Sequence, residues 1–261
     1  MKVVSIINLK GGVGKTTTAA IMAESLAEIY NKRVLLFDND KQGNISRLFD
    51  LYNGDIVPGA CVALKSRVLV PGTIQKTAIP GVDLVNSNYF MELAENEIRA
   101  DQESPQHDRY KAALAAVAGE YDYCIVDNPP DLGINVINAI VATDEVIIPV
   151  NLDGYSLDGL EELAAQVKNI RALNPKVRIA GCLVTDFEKS DYAEAAEIWL
   201  RTKSGLHVYS QHIRHYKKAK DATIAKKTIT KFCIRSGAAQ DYKKIHGGIH
   251  ERGQIGWEPI Y

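Results

Sequence analysis

The stretch INLKGGVGKTTTA, residues 7–19, decides how the rest of the chain is interpreted. It places a glycine-rich turn between the apolar run VVSII and a segment with helical periodicity. Glycines let a backbone approach a phosphate group closely, and the N–H groups of such a turn point inward. The strict phosphate-loop pattern, G-x-x-x-x-G-K-[ST], requires glycine at position 9, where this chain has Leu9 followed by Lys10. The pattern therefore predicts a phosphate site and leaves Lys10 to be explained.

The end of this loop supplies the groups that a magnesium nucleotide needs. We expect the ammonium group of Lys15 to contact the β- and γ-phosphates, and the hydroxyl of Thr16 to ligate Mg²⁺ from the first turn of the helix. A chance glycine-rich turn would not sit between so regular a strand and so regular a helix. The stretch therefore predicts a site for a nucleoside triphosphate and Mg²⁺.

Apolar runs rich in β-branched residues alternate with helical patterns along the chain. Several runs are continuously hydrophobic, which is typical of strands buried on both faces of a parallel sheet. The sequence predicts an α/β fold with a doubly wound, mostly parallel sheet flanked by helices, and one domain over residues 1–261. Strands are predicted at 3–8, 34–38, 82–86, 123–127, 146–150, 177–184 and near 208–213, and helices at 15–30, 89–98, 105–119, 133–142, 157–173 and 192–203. Residues 51–81 are predicted to form a loop with short helices.

Three carboxylates come at the ends of predicted strands. Asp127 closes YDYCIVD and is followed by two prolines, whereas Asp38 closes RVLLFD and precedes Asp40 by two residues. Ligands bind at the carboxyl ends of strands in such folds. Residues two apart on an extended chain point to the same side. One carboxylate of the second pair could therefore serve the metal while the other reaches an attacking water. A turn or a helix cap would be the structural alternative for either aspartate alone.

Bulk composition limits the class of protein. The four cysteines are scattered singly, so we expect neither a disulfide framework nor a zinc site, and a cytoplasmic location. The sequence shows no signal peptide and no apolar run long enough to span a membrane. Net charge is −1, but residues 201–235 hold ten Lys/Arg and one acid. A basic segment on an otherwise acidic chain favours a polyanionic partner, although a solvated surface explains any single lysine as well.

Together, KGGVGKTT, VLLFDNDKQGN and YDYCIVDNPPDLG resemble the ParA/MinD family of deviant Walker A ATPases, most closely its short, Soj-like partition branch. In that family the early lysine, here Lys10, reaches across a nucleotide-sandwiched homodimer to the phosphates bound by the other subunit. The resemblance thus implies that Lys10 acts in trans, like an arginine finger. It also implies ATP and Mg²⁺ as cofactors and ATP hydrolysis as the activity.

The family roles carry over residue by residue. The resemblance implies that Asp38 and Asp127 hold the water shell of Mg²⁺, while Asp40 positions or activates the attacking water. Lys10, Lys15 and Asp40 are then the catalytic residues, and Thr16 is the direct metal ligand. The nucleotide is expected to contact Lys10, Gly11, Gly12, Val13, Gly14, Lys15, Thr16 and Thr17.

Two positions depart from the family pattern. Lys41 occupies a position where proline is common, and Asn128 one where threonine is frequent. Neither replaces a group with an assigned chemical role. Lys41 nevertheless adds a charge beside Asp40, where it could alter the rate of hydrolysis.

Other features separate this chain from relatives that share the motifs. The glycines and proline of HGGIHERGQIGWEPIY, residues 246–261, are expected to prevent the amphipathic helix by which MinD-like proteins bind membranes. Cys124 lies in a predicted core strand, so we expect it to pack rather than to ligate a cluster. The chain begins at the first strand, so no operator-specific DNA-binding domain is expected before it.

The remaining candidate is a short ParA, whose ATP-bound dimer is expected to bind double-stranded DNA without sequence preference on the nucleoid. A ParB-like partner protein is expected to stimulate hydrolysis, with no role for a membrane. Lys218 aligns with an arginine that the family uses for DNA, and phosphate contacts by neighbouring cations would supply non-specific affinity. The expected DNA-binding residues are Arg214, Lys217, Lys218 and Lys220, with Lys226 and Lys227 nearby.

Two other functions stay open at this point. A metabolic phosphate-loop enzyme, such as a dethiobiotin-synthetase-like ligase or a small-molecule kinase, would need a second substrate pocket and no Lys10. A DNA-coating scaffold with vestigial hydrolysis would show negligible turnover. Stimulation of hydrolysis by DNA and a partner protein, or by a metabolite, discriminates between partition and metabolism.

Overall fold

The structure is a computed structural model that describes residues 1–70, 72–101, 103–153 and 158–251. A seven-stranded sheet forms its centre. The strands are β1 (Lys2–Ile6), β2 (Val34–Asp38), β3 (Ile74–Lys76), β4 (Val82–Val85), β5 (Tyr123–Asp127), β6 (Glu145–Val150) and β7 (Arg178–Val184). Their spatial order is β3-β4-β2-β5-β1-β6-β7. All neighbouring strands are parallel except β3, which is antiparallel to β4 at one edge.

The helices lie on both faces of this sheet. Six of them overlap the helices that the sequence pattern predicts, whereas the 15-residue helix at Gly237–Glu251 was not predicted. The helices are α1 (Lys15–Glu28), α2 (Asn44–Leu48), α3 (Gly59–Ser66), α4 (Phe90–Ala100), α5 (Arg109–Ala116), α6 (Ile134–Ala142), α7 (Asp158–Ile170), α8 (Asp191–Lys203), α9 (Ala219–Ile224), α10 (Ile229–Phe232) and α11 (Gly237–Glu251). The start predicted for the seventh helix, Leu157, lies outside the described residues.

Alternate residues of the central strands enter different hydrophobic clusters. Leu36 of β2 packs in the cluster that contains buried residues of α1 and α11, whereas Leu35 and Phe37 pack in the one that contains residues of α3, α4 and α5. All five residues of β2 are buried. Because side chains alternate across a strand, this division places helices on both faces of the sheet. The predicted doubly wound, mostly parallel fold is confirmed.

The strand predicted near residues 208–213 is not formed, and this prediction was wrong. In this region single bridges replace a continuous ladder: Val208 pairs with Cys182 of β7, and Arg214 pairs with Phe187, which follows β7. Arg201 explains part of the interruption, because its guanidinium donates to the carbonyl oxygens of Val208, Tyr209 and Ser210 at 3.3, 2.9 and 3.4 Å. These carbonyl groups therefore bond to a side chain, whereas a continuous strand would bond them to a neighbouring backbone.

Helix α11 continues through Gly247 and Gly248 to Glu251, so these two glycines do not end it. The expectation that the segment from residue 246 onward forms no amphipathic membrane-binding helix stays a prediction. The first half of α11 is anchored by tertiary packing, with Ala238, Ala239 and Tyr242 buried against the core. Packing of this kind outweighs the weak helix propensity of glycine. The rest of this segment, residues 252–261, lies outside the described residues.

All four cysteines are free thiols, and Cys124 is fully buried in β5, where it packs with the apolar core. Among the residues that the structure describes, no helix has the length and hydrophobicity to cross a membrane.

A buried polar cluster ties α1 to the segment that precedes and begins α10. The carboxylate of Glu24 on α1 accepts hydrogen bonds from the hydroxyl groups of Thr228 and Thr230, the latter at 2.7 Å. Burial raises the pKa of Glu24, and the two hydroxyl donors lower it in part. One turn later, Lys231 pairs with Glu28 at 2.6 Å in a solvent-exposed salt bridge.

We predict that Glu24→Ala lowers the free energy of unfolding by about 1–3 kcal/mol, because it leaves two buried hydroxyl groups without their acceptor. Glu28→Ala is the matched control on the same helix. It removes an exposed pair that contributes about 0–1 kcal/mol. Urea unfolding followed by circular dichroism measures both variants. Equal losses in the free energy of unfolding would show that the buried cluster stabilises the protein no more than the exposed pair does.

Candidate nucleotide site

The phosphate loop joins β1 to α1 at the carboxyl edge of the sheet. Gly12 and Gly14 adopt φ angles of 77° and 80°, a left-handed conformation that favours glycine. Gly14 caps α1 without a side-chain hydrogen bond, and its carbonyl accepts from the N–H of Thr18 at 2.9 Å. The first N–H groups of a helix have no partner within the helix, so this end of α1 is suited to an anion.

Lys15 lies inside the loop. Its side chain is buried, and its ammonium group donates to the carbonyl oxygen of Lys10 at 2.8 Å. Burial lowers the pKa of Lys15, whereas the carboxylates of Asp127 and Asp40 raise it. The ammonium group is thus held between the loop backbone and two carboxylates, where a phosphate would also be attracted.

Lys10 lies at the rim of the same loop. Its backbone N–H donates to the side-chain oxygen of Asn8 at 2.9 Å. Its ammonium group forms an ion pair with Asp153, which follows β6, and both side chains are partly exposed. Within one chain, therefore, the ammonium group of Lys10 is directed toward Asp153. Its role in a dimer stays a prediction.

Asp127 ends β5 with a buried carboxylate. Only 1% of the residue is exposed, and neither side-chain oxygen completes a hydrogen bond among the described residues. Burial raises the pKa of Asp127 well above its usual range, and the nearby Asp38 raises it further. The hydroxyl of Thr16 faces the carboxylate and offsets part of this rise without forming a bond of normal geometry. Two free oxygens beside a hydroxyl fit the oxygen ligands that Mg²⁺ prefers.

Asp38 lies opposite Asp127 in the register of β2 and β5, but its carboxylate is already engaged. One oxygen accepts from the N–H and the hydroxyl of Ser46 at 2.9 and 2.7 Å, and the other from the N–H of Asp40 at 3.2 Å. Burial raises the pKa of Asp38 to about 7. Asp38 thus joins α2 to the end of β2, and its place in a metal shell stays a prediction.

Asp40 begins the turn between β2 and α2. Its side chain accepts from the N–H of Gln42 at 2.9 Å, and its carbonyl accepts from the N–H of Gly43 at 2.8 Å. Burial raises the pKa of Asp40, and the charge of Lys15 lowers it in part. Gly43 has φ 61°, and a Cβ there would meet the Tyr52 ring at 2.6 Å and the Ser87 carbonyl at 2.7 Å. The turn that positions Asp40 therefore requires glycine.

The two departures from the family pattern have different surroundings. The ammonium group of Lys41 turns outward to Glu92 on α4 at 3.1 Å. Asn128 is buried, and its side-chain oxygen accepts from the amide of Asn39 at 2.8 Å. Lys41 is thus a surface ion pair, whereas Asn128 belongs to the buried framework of the site.

The basic residues lie on the side of α9–α11. Lys217, Lys218 and Lys220 are exposed, and in the described part of the chain they form no salt bridge. Arg214 is different, because its guanidinium makes two hydrogen bonds to the buried carboxylate of Asp241, at 2.7 and 2.8 Å. Arg214 thus fixes its own segment to α11, and the expected DNA contact there stays a prediction.

Two residues that support the phosphate loop, Thr185 and Asn8, belong to none of the motifs found in the sequence. Thr185, just beyond β7, donates to the carbonyl oxygen of Val13 at 2.9 Å. Asn8 donates to the carbonyl oxygen of Pro149 at 2.7 Å while it holds the backbone of Lys10. Asn8 could have been found, since a polar residue that ends a buried strand next to a functional loop is a signal. Thr185 has no such signal.

A glycine loop between a strand and a helix, with a lysine and strand-end carboxylates around it, defines a phosphate-loop nucleotide-binding protein. The AAA_31 family model, described as an AAA domain, matches residues 1–179. The chain is 38% identical over 185 residues to the sporulation initiation inhibitor protein Soj of Bacillus subtilis, covering 70% of this chain and 72% of that protein. It is 31% identical over 258 residues to the chromosome partitioning protein ParA of Caulobacter vibrioides, covering 94% and 92%.

The fold is also shared with solved structures. Cobyrinic acid a,c-diamide synthase from Mycobacterium smegmatis, with a bound ATP analogue and magnesium, superposes with a TM-score of 0.85 at 23% identity. The match covers 98% of this chain and 97% of that one. At this identity the likeness shows the fold alone. The sequence relatives show more: the chain belongs to the ParA/MinD family of ATPases, close to Soj-like ParA proteins.

The two lysines of the loop are predicted to differ in their effect on ATP binding. Lys15→Ala removes the buried cation and is expected to abolish binding of a fluorescent ATP analogue. Lys10→Ala leaves the buried pocket intact, so the monomer should bind the analogue within about threefold of wild type, while ATP-dependent dimerisation is lost. Equilibrium titration and size-exclusion chromatography separate the effects. Normal dimerisation of the Lys10 variant would contradict a role in trans.

Proposed function

We propose that this protein is a ParA-type ATPase that dimerises on ATP, binds double-stranded DNA without sequence preference and positions a DNA cargo on the nucleoid in the cytoplasm. A ParB-like partner would stimulate hydrolysis. Three features at one edge of the sheet carry the proposal: a helix end suited to an anion, the buried Lys15, and the buried carboxylate of Asp127, which has no hydrogen-bond partner among the described residues. This arrangement supports binding of a magnesium nucleotide.

Within the proposed site, Thr16 and Asp127 would hold Mg²⁺, and Asp38 would contact its water shell. Bound there, Mg²⁺ supplies charge neutralisation on the phosphate oxygens. Lys15 attracts the same oxygens from the loop side. The N–H groups at the start of α1 orient the phosphates, so the chain itself provides most of the positioning.

Asp40 is proposed to orient the attacking water. Its carboxylate is fixed by the turn to Gly43 and lies close enough to Lys15 to feel its charge. Lys10 is proposed to leave Asp153 when two nucleotide-bound chains meet, and to bring its charge to the partner's phosphates. A cation that arrives only in the dimer makes hydrolysis depend on dimerisation.

The DNA-binding part of the proposal rests on three exposed lysines, Lys217, Lys218 and Lys220, around the start of α9. A few cations on one chain bind DNA weakly at physiological salt. Two patches on one dimer combine their contacts, so affinity for DNA rises steeply with dimerisation.

The metabolic alternative is less well supported. The synthase with the same fold is only 23% identical, and a shared fold does not imply a shared reaction. The ParA of Caulobacter vibrioides is 31% identical over 94% of this chain. Lys10 also has no use in a phosphate-loop enzyme that works as a monomer. The partition proposal is therefore preferred.

For hydrolysis, we predict that Asp40→Ala binds Mg-ATP and dimerises but turns over at least about 100-fold more slowly, because the water loses its orienting carboxylate. Lys41→Ala is the control on the adjacent residue, and its turnover should stay within about threefold of wild type because its side chain pairs outward with Glu92. Phosphate release measures both. Normal turnover of the Asp40 variant would assign that residue a structural role only.

For DNA binding, we predict that the wild-type protein binds two unrelated duplexes equally with Mg-ATP, weakly with ADP, and progressively less as salt rises. The double variant Lys217→Glu, Lys218→Glu should lose binding and still dimerise. A control of equal charge change is Lys111→Glu with Lys176→Glu, two exposed lysines outside the basic segment. Fluorescence polarisation across a salt series measures all three.

Two outcomes would contradict this reading. Equal loss of binding in both double variants would show that net charge, rather than the α9 surface, determines affinity. No binding by the wild-type dimer at low salt would remove the partition proposal in favour of the metabolic one.

A further inference from the structure

Asn39 lies between Asp38 and Asp40, and each polar group of this residue has a partner. Its N–H donates to the carbonyl oxygen of Asp127 at 2.9 Å, which continues the pairing of β2 with β5 past the last strand residue. Its carbonyl oxygen accepts from the side chain of Asn135 on α6 at 3.0 Å. Its side-chain amide donates to Asn128 at 2.8 Å, and its side-chain oxygen accepts from the hydroxyl of Tyr110 on α5 at 2.7 Å.

The other hydrogen bonds of Asn128 fix which atom of each amide group faces which partner. The amide of Asn128 donates to the carbonyl oxygens of Ile6 and Val126, both at 3.3 Å, so its oxygen faces Asn39. The amide of Asn39 must then face Asn128, which leaves its oxygen for Tyr110. Tyr110 is 1% exposed, and its ring packs edge-on against Phe37, with ring centroids 4.8 Å apart. The chain of contacts thus has one orientation.

Successive side chains of the extended segment from Phe37 to Asn39 point to opposite sides, so Asn39 and Asp38 make different sets of contacts. Phe37 and Asn39 face α5 and α6, whereas Asp38 faces Ser46 on α2. The side chain of Asp40 accepts one hydrogen bond, from within its own turn. Asn39 therefore ties the backbone just before Asp40 to α5, α6 and the end of β5, beside the bond from the N–H of Asp40 to Asp38.

We propose that Asn39 is a positioning residue that acts with Tyr110 to hold Asp40 in register with Asp127. The inference rests on the proposed function, because it assigns Asp40 to the attacking water and Asp127 to the metal. Asn39 touches neither the nucleotide nor the water. It extends the pairing of β2 with β5 beyond the last strand residue, so that Asp127, which would hold the metal, and Asp40, which would orient the water, stay in register.

A loss of this connection should affect turnover more than nucleotide binding. The phosphate loop, which supplies most of the contacts to ATP, has no bond to Asn39 or Tyr110 in the described residues. A displacement of about 1 Å in a reacting group costs up to about 100-fold in rate. The signature of the positioning role is therefore a lower kcat at an almost unchanged KM for ATP.

The test uses Tyr110→Phe in the full chain, which removes one hydroxyl group and keeps the ring against Phe37. Tyr121→Phe is the matched control, because Tyr121 is also buried and its hydroxyl donates to the carboxylate of Asp83 at 2.8 Å, in a contact outside the site. We expect kcat of Tyr110→Phe to fall about tenfold, with KM within about twofold of wild type. The kcat of Tyr121→Phe should stay within about twofold, even if both melting temperatures fall alike.

A second readout does not depend on turnover. The Mg²⁺ concentration for half-maximal binding of a fluorescent ATP analogue should rise at least about threefold in Tyr110→Phe and not in Tyr121→Phe. Asn39→Leu should show both effects more strongly. The double variant Asn39→Leu, Tyr110→Phe should be no worse than Asn39→Leu alone, because both changes break the same connection.

The outcomes separate the two claims. Equal kcat and equal Mg²⁺ dependence in Tyr110→Phe and Tyr121→Phe would overturn the positioning role and leave the proposed function standing. Additive losses in the double variant would overturn the claim that the two residues act together. Absence of ATP hydrolysis in the wild-type protein would overturn the proposed function, and the positioning role with it.

Discussion

The constraint on which the site depends is the burial of three ionisable side chains, Lys15, Asp38 and Asp127, at one edge of the sheet. Removing a charge from water is unfavourable unless the protein supplies partners for it. Lys15 finds a backbone carbonyl and Asp38 finds Ser46, but Asp127 finds no bonded partner in the described part of the chain. Burial raises the pKa of Asp127 and the nearby charge of Lys15 lowers it only in part, so a bound cation would stabilise the ionised carboxylate further.

The surrounding fold holds this arrangement from several directions. Thr185 beyond β7 and Asn8 beyond β1 support the phosphate loop, while Asn39 connects the ends of β2 and β5 to α5 and α6.

On the other face, α1 is tied to α10 through Glu24 and to α11 through a contact of 3.1 Å between the hydroxyl groups of Thr18 and Tyr242. The helix that begins at the phosphate site thus ends against the basic segment.

Sequence patterns predicted the parts of the structure that local interactions determine. The buried strands appear as continuous apolar runs, and the loop from Lys10 to Thr16 follows from glycine conformations and charge. The failed strand near residues 208–213 has suitable residues, but Arg201 captures three of its carbonyl groups. The network around Asn39 was also invisible, because Tyr110 lies 71 residues away and Asn128 lies 89 residues away. Contacts across such separations leave no period or motif in a single sequence.

The most direct test of the account is the effect of Mg²⁺ on ATP binding measured by isothermal titration calorimetry, with wild type and Asp127→Asn compared in Mg²⁺ and in EDTA. If the free oxygens of Asp127 hold the metal, Mg²⁺ should tighten ATP binding to wild type at least about tenfold, a difference of about 1.4 kcal/mol. The variant should bind ATP in EDTA about as well as wild type and gain almost nothing from Mg²⁺. An equal gain from Mg²⁺ in both proteins would contradict the account, since the metal would then be held without this carboxylate.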